Sequence, residues 1–174
     1  MEKRDYIKTS THLYFWNSIY SQWFTSKKQI FENGNYFNNA EKYMMYHKAL
    51  VFNDTEIAKE ILNSYDPKTI KALGRKVKNF NDEVWNQHRE KIVTQGNYLK
   101  FTQNYEFLQE LLKDRDLILV EGSPFDKIWG VGLHYNSEEI KNEKNWNGLN
   151  LLGKCIMNAR DIILKELNIK SEAN

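Results

Sequence analysis

Proline is the residue that most constrains the fold of this chain, because its 174 residues include only two, Pro67 and Pro124. Proline breaks a helix interior, since it lacks a backbone N–H and its ring clashes with the preceding turn. Glycine is also scarce, with 8 residues. The sequence therefore permits long uninterrupted helices and argues against an all-β fold, which needs many turns.

The overall composition predicts one globular domain over residues 1–174, with a core from about residue 13 to residue 168. Hydrophobic residues make up 41% of the chain, and a chain of this length can bury a substantial core. The net charge of only +2 argues against stable nucleic-acid binding through phosphate contacts. Neither a signal peptide nor a membrane-spanning run is present, so we expect a cytoplasmic protein without a membrane segment.

Apolar periodicity and capping residues predict a mainly α, α+β fold with a small sheet or hairpin. Asn38 or Asn39, Asp54, and Asn81 or Asp82 are expected to cap helices, and Pro67 fits the first turn of another, which is expected to end near Gly74. The predicted helices run over residues 40–52, 55–62, 67–74, 105–112 and 151–167, and a long middle helix runs from 82 to about 93 or to 99. Short strands are expected near residues 13–16, 29–31 and 117–120, with a turn at 34–35.

Two charged residues fall on the apolar face of the helix predicted over residues 40–52. At about 100° per residue, Glu41 and Lys48 lie about 20° apart on the helical wheel, whereas Lys42 is expected on a solvated flank. Burying a charge costs several kcal/mol unless the group is paired or takes part in chemistry. Glu41 and Lys48 are therefore candidate functional residues, and the alternative is that each has a buried structural partner.

A second group of polar residues lies in the loop that follows the strand predicted over residues 117–120. The loop carries Asp126 and Trp129, and loops at strand ends often carry functional residues. The more ordinary roles are a turn residue for Asp126 and a core residue for Trp129. Arg160 falls on the apolar stripe of the last helix and needs a partner, for which Glu121 and Asp126 are the candidates.

The sequence argues against a metal or a nucleotide cofactor. The four histidines lack the spacing of metal ligands, and Cys155 is the only cysteine, so a cysteine-based metal cluster is excluded. Gly130 and Gly132 lack the third glycine of a dinucleotide-binding fingerprint, and no Walker loop is present. We therefore expect no metal and no cofactor.

Many short motifs occur in the order typical of the NADAR family, also called YbiA-like, and this resemblance covers about residues 15–161. The motifs are SQWF (21–24), AEKYMM (40–45), KA (48–49), FND (52–54), KALGRKV (71–77), KF (100–101), QN (103–104), LVE (119–121), SP (123–124), WG (129–130) and GLNLLG (148–153), together with Trp85, Asp126 and Arg160. The resemblance rests on the number and order of these motifs, because no single motif is specific enough.

The resemblance implies a compact, mostly helical fold and hydrolysis of an N-glycosidic bond between a ribose and a base-like nitrogen. Activities of the family include cleavage of ribosylamino-pyrimidine phosphates of riboflavin biosynthesis and removal of ADP-ribose from guanine. The expected partner is therefore a small ribosylated molecule or an ADP-ribosylated nucleic acid. The alternative from another class is a non-catalytic ADP-ribose or nucleotide-binding module.

The site positions of the family fall here on Glu41, Trp85 and Asp126, and Lys48 lies in the Lys-Ala motif. Cleavage through an oxocarbenium-like transition state suits two carboxylates: one stabilises the cation or activates water, and the other protonates the leaving base. The sequence leaves open which carboxylate does which. It also leaves open whether Lys48 binds phosphate or attacks C1 of the opened sugar as an amine.

The remaining candidates are substrate-binding residues. Tryptophan rings offer flat apolar faces to a base, and arginines suit phosphate. The full set is Trp85, Trp129, Gly130, Arg75, Asn147 and Arg160. Lys100 is a further phosphate candidate, although a helix-surface charge is its more ordinary role.

Overall fold

The structure is a computed structural model that describes the backbone of residues 5–172 and the side chains of residues 5–168. Within that range the strands are β1 (Tyr6–Lys8), β2 (His12–Phe15), β3 (Ile30–Glu32), β4 (Asn35–Phe37) and β5 (Ile118–Glu121). The helices are α1 (Ala40–Val51), α2 (Thr55–Leu62), α3 (Pro67–Arg75), α4 (Asp82–Thr102), α5 (Tyr105–Lys113) and α6 (Leu151–Glu172). Short 3-10 turns cover Glu138–Lys141 and Glu143–Asn145. The predicted helix-dominated α+β fold is confirmed.

These elements group into two compact units. The central unit, residues 22–104, contains β3, β4 and α1 to α4. The discontinuous unit, formed by residues up to 21 and from 105 onward, contains β1, β2, β5, α5 and α6. A single domain over residues 1–174 stays a prediction.

The central unit begins with a hairpin, in which β3 and β4 pair antiparallel. The sequence predicts β3 and a turn at residues 34–35, but it does not predict β4. Its two-residue turn is Asn33–Gly34, with φ of 49° and 82°, and a positive φ at both positions is typical of the type I′ hairpin turn. Behind the hairpin, α1 packs against α2, α3 and α4. Each of these four helices is capped at its N-terminus by a polar side chain that accepts the backbone N–H of the residue three positions later. The capping residues are Asn39, Asp54, Asp66 and Asn81.

Gly74 does not act as the helix stop that the sequence suggests. It lies inside α3, which ends at Arg75 and has Lys76 as its C-cap. A Cβ atom on Gly74 would lie 2.0 Å from the Sδ atom of Met45 in α1. The glycine therefore lets α3 approach α1 closely, and the sequence pattern does not distinguish this role from a helix end.

The discontinuous unit is built on a three-stranded sheet with the order β1-β2-β5, in which β1–β2 is antiparallel and β2–β5 is parallel. Tyr14 and Val120, from β2 and β5, pack with Val131 and Ile140. The first turn of α6 lies against β5, because a Cβ atom on Gly153 would be 2.1 Å from the carbonyl oxygen of Leu119. This contact fixes the start of α6 beside the strand whose end leads into the Asp126 loop.

Candidate functional site

One group of candidate residues, Glu41 and Lys48, lies on one face of α1 in the central unit. Glu41 is buried, with 6% of its surface exposed, and its backbone N–H donates to the carbonyl oxygen of Gln22 at 2.9 Å. Lys48 is half-buried, and its Nζ donates to the carbonyl oxygen of Gly74 at 2.8 Å. The predicted placement of two charges on the inward face of this helix is confirmed.

The ammonium group of Lys48 lies in an unusual electrostatic environment. Burial lowers the pKa of Lys48 below its usual value, the carboxylates of Glu41 and Asp82 partly oppose this effect, and the guanidinium of Arg75 lowers the pKa further. The Nζ atom also lies 4.3 Å from the centre of the Phe80 ring. A lowered pKa increases the fraction of neutral amine, which is the nucleophilic form of lysine.

Lys42 is not the solvated charge that the helical wheel predicts. Only 1% of its surface is exposed, its Nζ donates to the carbonyl oxygen of Leu62 at 2.7 Å, and it lies 4.4 Å from the centre of the Tyr65 ring. Because α1 is covered by α2 and α3 as well as by α4, the flank that carries Lys42 is interior. Lys42 therefore has a structural role.

Helix α4 contributes Trp85 and Arg89 to the central unit. Trp85 is buried, and its ring centre is 5.8 Å from Nζ of Lys48. Arg89 follows one turn later on the same helix face and is half-buried. No described residue accepts a hydrogen bond from its buried Nε. The sequence candidates do not include Arg89, although its i+4 spacing from Trp85 is a signal that points to it.

The two other basic candidates of the central unit differ in exposure. Arg75 is exposed and close enough to Lys48 to affect its pKa. Lys100 is 1% exposed, and burial lowers its pKa to about 7. A helix-surface position for Lys100 is therefore wrong, because Gly96, Asn97 and Phe101, the residues around it on α4, are buried as well.

A second group of candidate residues lies in the loop after β5, in the discontinuous unit. Oδ1 of Asp126 accepts the backbone N–H groups of Ile128 at 2.9 Å and Trp129 at 2.8 Å, which is the pattern of an Asx turn. Both bonds use the same carboxylate oxygen. Asp126 therefore has the turn role considered from the sequence, and its Oδ2 accepts no hydrogen bond from a described residue.

Gly130 and Asn147 lie in two loops that are joined through their backbones. The N–H of Asn147, whose side chain is exposed, donates to the carbonyl oxygen of Val131 at 2.9 Å. A Cβ atom on Gly130 would lie 3.0 Å from the carbonyl oxygens of Asp126 and Glu121. Gly130 is therefore explained by close packing. Trp129 is half-buried beside it.

Arg160 has partners other than the expected carboxylates. Its NH1 group donates to the carbonyl oxygens of Asp114 and Leu117, both at 2.8 Å, in the connection between α5 and β5. The prediction that Glu121 or Asp126 pairs with Arg160 is wrong, because this part of α6 lies against the α5–β5 connection. Arg160 satisfies backbone carbonyls there, as buried cations commonly do.

Neither a metal-binding cluster nor a membrane-spanning helix is found in residues 5–172. Among these residues, no group of three or more His, Cys, Asp or Glu side chains is arranged to hold a metal ion. No described helix is both long enough and apolar enough to cross a bilayer.

Comparisons with known proteins match almost the whole chain. The family model described as NADAR domain matches residues 6–164. An N-glycosidase of Acanthamoeba polyphaga mimivirus is 44% identical over 146 residues, which is 82% of this chain and 86% of that protein. An N-glycosidase of Nostoc punctiforme is 30% identical over 134 residues, which is 77% of this chain and 79% of that protein.

A solved structure has the same fold. The NMR structure of the Escherichia coli protein YbiA superimposes with a TM-score of 0.74, covering 93% of this chain and 90% of that one, at 22% sequence identity. At this level of identity the similarity concerns the fold alone.

Proposed function

Because this chain belongs to the NADAR domain family, we propose that it is an N-glycosidase that hydrolyses the bond between C1 of a ribose and a base-like nitrogen. The observation that carries the proposal is the buried carboxylate of Glu41 on the same helix face as Lys48, whose pKa is lowered. Burying a charge costs free energy unless the group is paired or takes part in chemistry, and perturbed pKa values of this kind are frequent at functional sites.

Glu41 is the residue we propose to stabilise the cationic transition state. An oxocarbenium-like ribosyl group carries positive charge near C1, and a carboxylate in a buried position interacts with that charge more strongly than one in water does. Trp85, which is also buried in the central unit, offers an apolar ring face for the leaving base.

Asp126 is the second carboxylate that we propose for the reaction. Its Oδ1 is engaged in the turn, so proton transfer would use Oδ2. Two assignments remain alternatives: Glu41 stabilises the cation while Asp126 protonates the leaving base, or Asp126 activates water while Glu41 acts as the acid.

Lys48 has two alternative roles, and its electrostatic environment favours one of them. As an amine, Lys48 would add to C1 of the opened sugar, the base would leave with its nitrogen and a proton, and water would hydrolyse the resulting lysine–sugar imine. As a cation, it would bind the substrate phosphate. The lowered pKa supports the amine role, which leaves the phosphate to another cation, and Arg89 is the residue we propose for it.

The experiment that tests the function is product analysis by mass spectrometry with two compounds offered side by side: a ribosylamino-pyrimidine phosphate and guanine-ADP-ribosylated nucleic acid. We expect release of a free base together with ribose 5-phosphate from the first, or of ADP-ribose from the second. Binding of either compound without product would support the non-catalytic binding module instead. Absence of both binding and products would contradict the proposal.

A further inference from the structure

Two buried side-chain amides in the central unit are only partly hydrogen-bonded. Nδ2 of Asn97 in α4 donates to Oε1 of Gln22 at 3.0 Å and to the carbonyl oxygen of Val93 at 2.9 Å. The exposed fractions are 7% for Gln22 and 0% for Asn97. Within residues 5–172, Nε2 of Gln22 and Oδ1 of Asn97 have no hydrogen-bond partner.

The unused atoms are one donor and one acceptor, held near each other because the same two amides are joined by a hydrogen bond. Buried polar groups in folded proteins are nearly always paired, since leaving one unpaired is costly. A hydroxyl group both donates and accepts a hydrogen bond. One hydroxyl is therefore the simplest chemical group that complements both atoms.

The amide pair is directly connected to the candidate carboxylate. The backbone carbonyl of Gln22 accepts the N–H of Glu41 at 2.9 Å, so Gln22 lies against the first turn of α1. Asn97 lies on α4, the helix that also carries Trp85 and Arg89. Since Glu41 is proposed to act at C1, the hydroxyl closest to the reacting carbon is the one on C2.

We propose that Gln22 and Asn97 bind the 2-hydroxyl of the ribose, with Nε2 of Gln22 donating to it and Oδ1 of Asn97 accepting from it. The inference rests on the proposed function for the identity of the sugar. Gln22 is the more exposed of the two residues, so the sugar approaches from its side. The pair would make the site selective for ribose over deoxyribose.

The test uses the simplest sugar phosphates, ribose 5-phosphate and 2-deoxyribose 5-phosphate, with affinities measured by calorimetry. We expect the wild-type protein to bind the ribose compound about tenfold or more tightly, because the deoxy compound leaves the buried amide atoms unpaired. Gln22→Met keeps the length of the side chain and removes the donor. It is expected to bind both compounds with nearly equal affinity.

Gln103→Met is the matched control. Gln103 is also a glutamine of the central unit, and its amide is fully engaged with the backbone of Phe31. We expect this variant to keep the wild-type preference for ribose. Thermal melting of both variants shows whether they are folded, and equal wild-type affinities overturn the inference whether or not Gln22→Met folds.

Three results would overturn the inference: equal wild-type affinities, no wild-type binding of either compound, or a loss in Gln22→Met that is the same for both sugars. The last result is the one expected if the amide pair only positions Glu41 or holds a buried water. Hydrolysis is not needed in these measurements. A protein that prefers ribose but releases no base would contradict the proposed function and leave this inference standing.

Discussion

At the scale of single residues, the proposed chemistry depends on two carboxyl groups, that of Glu41, which is buried, and that of Asp126. Glu41→Gln and Asp126→Asn preserve the shape of each side chain and remove its charge. We expect turnover to fall by about a hundredfold or more in each variant, which corresponds to about 3–4 kcal/mol for one preorganised electrostatic contact. Steady-state kinetics together with thermal melting check this, and near-native turnover in both variants would assign these residues a structural role.

Lys48 offers a chemical test of its own. If its amine forms an imine with the opened sugar, borohydride added during turnover reduces that imine to a stable secondary amine. We expect a covalent mass increase on the peptide that contains Lys48, and none in Lys48→Arg, which keeps the positive charge but lacks the amine. Lys42, another lysine of α1, is the internal control: in the same proteolytic digest, we expect no mass increase on Lys42. Full turnover by Lys48→Arg would support a phosphate-binding role instead.

Arg89 is expected to affect binding of the phosphate rather than the chemical step. Its Nε has no partner in the described part of the chain, and guanidinium groups suit phosphate geometry. We expect Arg89→Gln to raise KM for a phosphorylated substrate about tenfold or more with kcat little changed. The same substitution is expected to leave KM for the dephosphorylated compound unaltered. Equal effects on both compounds would argue against phosphate binding by Arg89.

At the scale of secondary-structure elements, two helical glycines meet different neighbours and so predict different outcomes. A Cβ atom on Gly153 would lie 2.1 Å from a backbone oxygen of β5, whereas one on Gly74 would meet the flexible thioether of Met45. Alanine raises helix propensity at both sites by about 1 kcal/mol. We expect Gly153→Ala to lower the melting temperature clearly and Gly74→Ala to change it much less. The reverse order would contradict the packing described for α6.

The local elements could largely be predicted from the sequence, because their signals are local. Asn39, Asp54 and Asn81 are caps as expected, and the hairpin forms around Asn33 and Gly34 at the end of a short strand. These features follow from side-chain hydrogen bonding and backbone preferences within a few residues. The three-residue strands β1 and β4 carry little such signal and are not among the predicted strands.

The errors concern which faces of a helix are covered by other elements. The sequence pattern favours solvated faces for Lys42 and Lys100, and both are buried. A helical wheel shows which residues share a face, but it does not show how many neighbouring helices pack against that helix. Contacts between residues distant in sequence also determine the partners of Arg160 and the incomplete hydrogen bonding of Gln22 and Asn97. A helical wheel does not show such contacts.

At the scale of the whole molecule, burial of Lys100 links folding to pH. Its pKa is about 7 in the folded protein and near 10.4 in an unfolded chain. Between these values the unfolded chain binds one more proton, so the free energy of unfolding rises with pH. The destabilising effect of this group is fully present below pH 7 and disappears above the unfolded pKa.

We therefore expect the melting temperature of the wild-type protein to rise between pH 7 and about pH 10 more steeply than that of Lys100→Met, which lacks the titrating group. Calorimetric scans at several pH values give the slope of the melting temperature against pH. The comparison of slopes does not depend on the absolute stability of each variant. Lys59→Met, at an exposed position of α2, is the control and should keep the wild-type slope. Parallel slopes in all three proteins would show that Lys100 is charged when buried.

The loop that carries Asp126 is held by its main chain. Four successive carbonyl oxygens, of residues 127–130, accept N–H groups from residues 149–152 at the start of α6. Hydrogen bonds between backbone groups do not depend on side-chain identity. The conformation of this loop therefore depends little on most of its side chains. Lys127 and Ile128 are exposed, and their side chains can be exchanged while the loop keeps its shape. Randomising these two positions therefore offers a way to re-engineer substrate preference without rebuilding the scaffold.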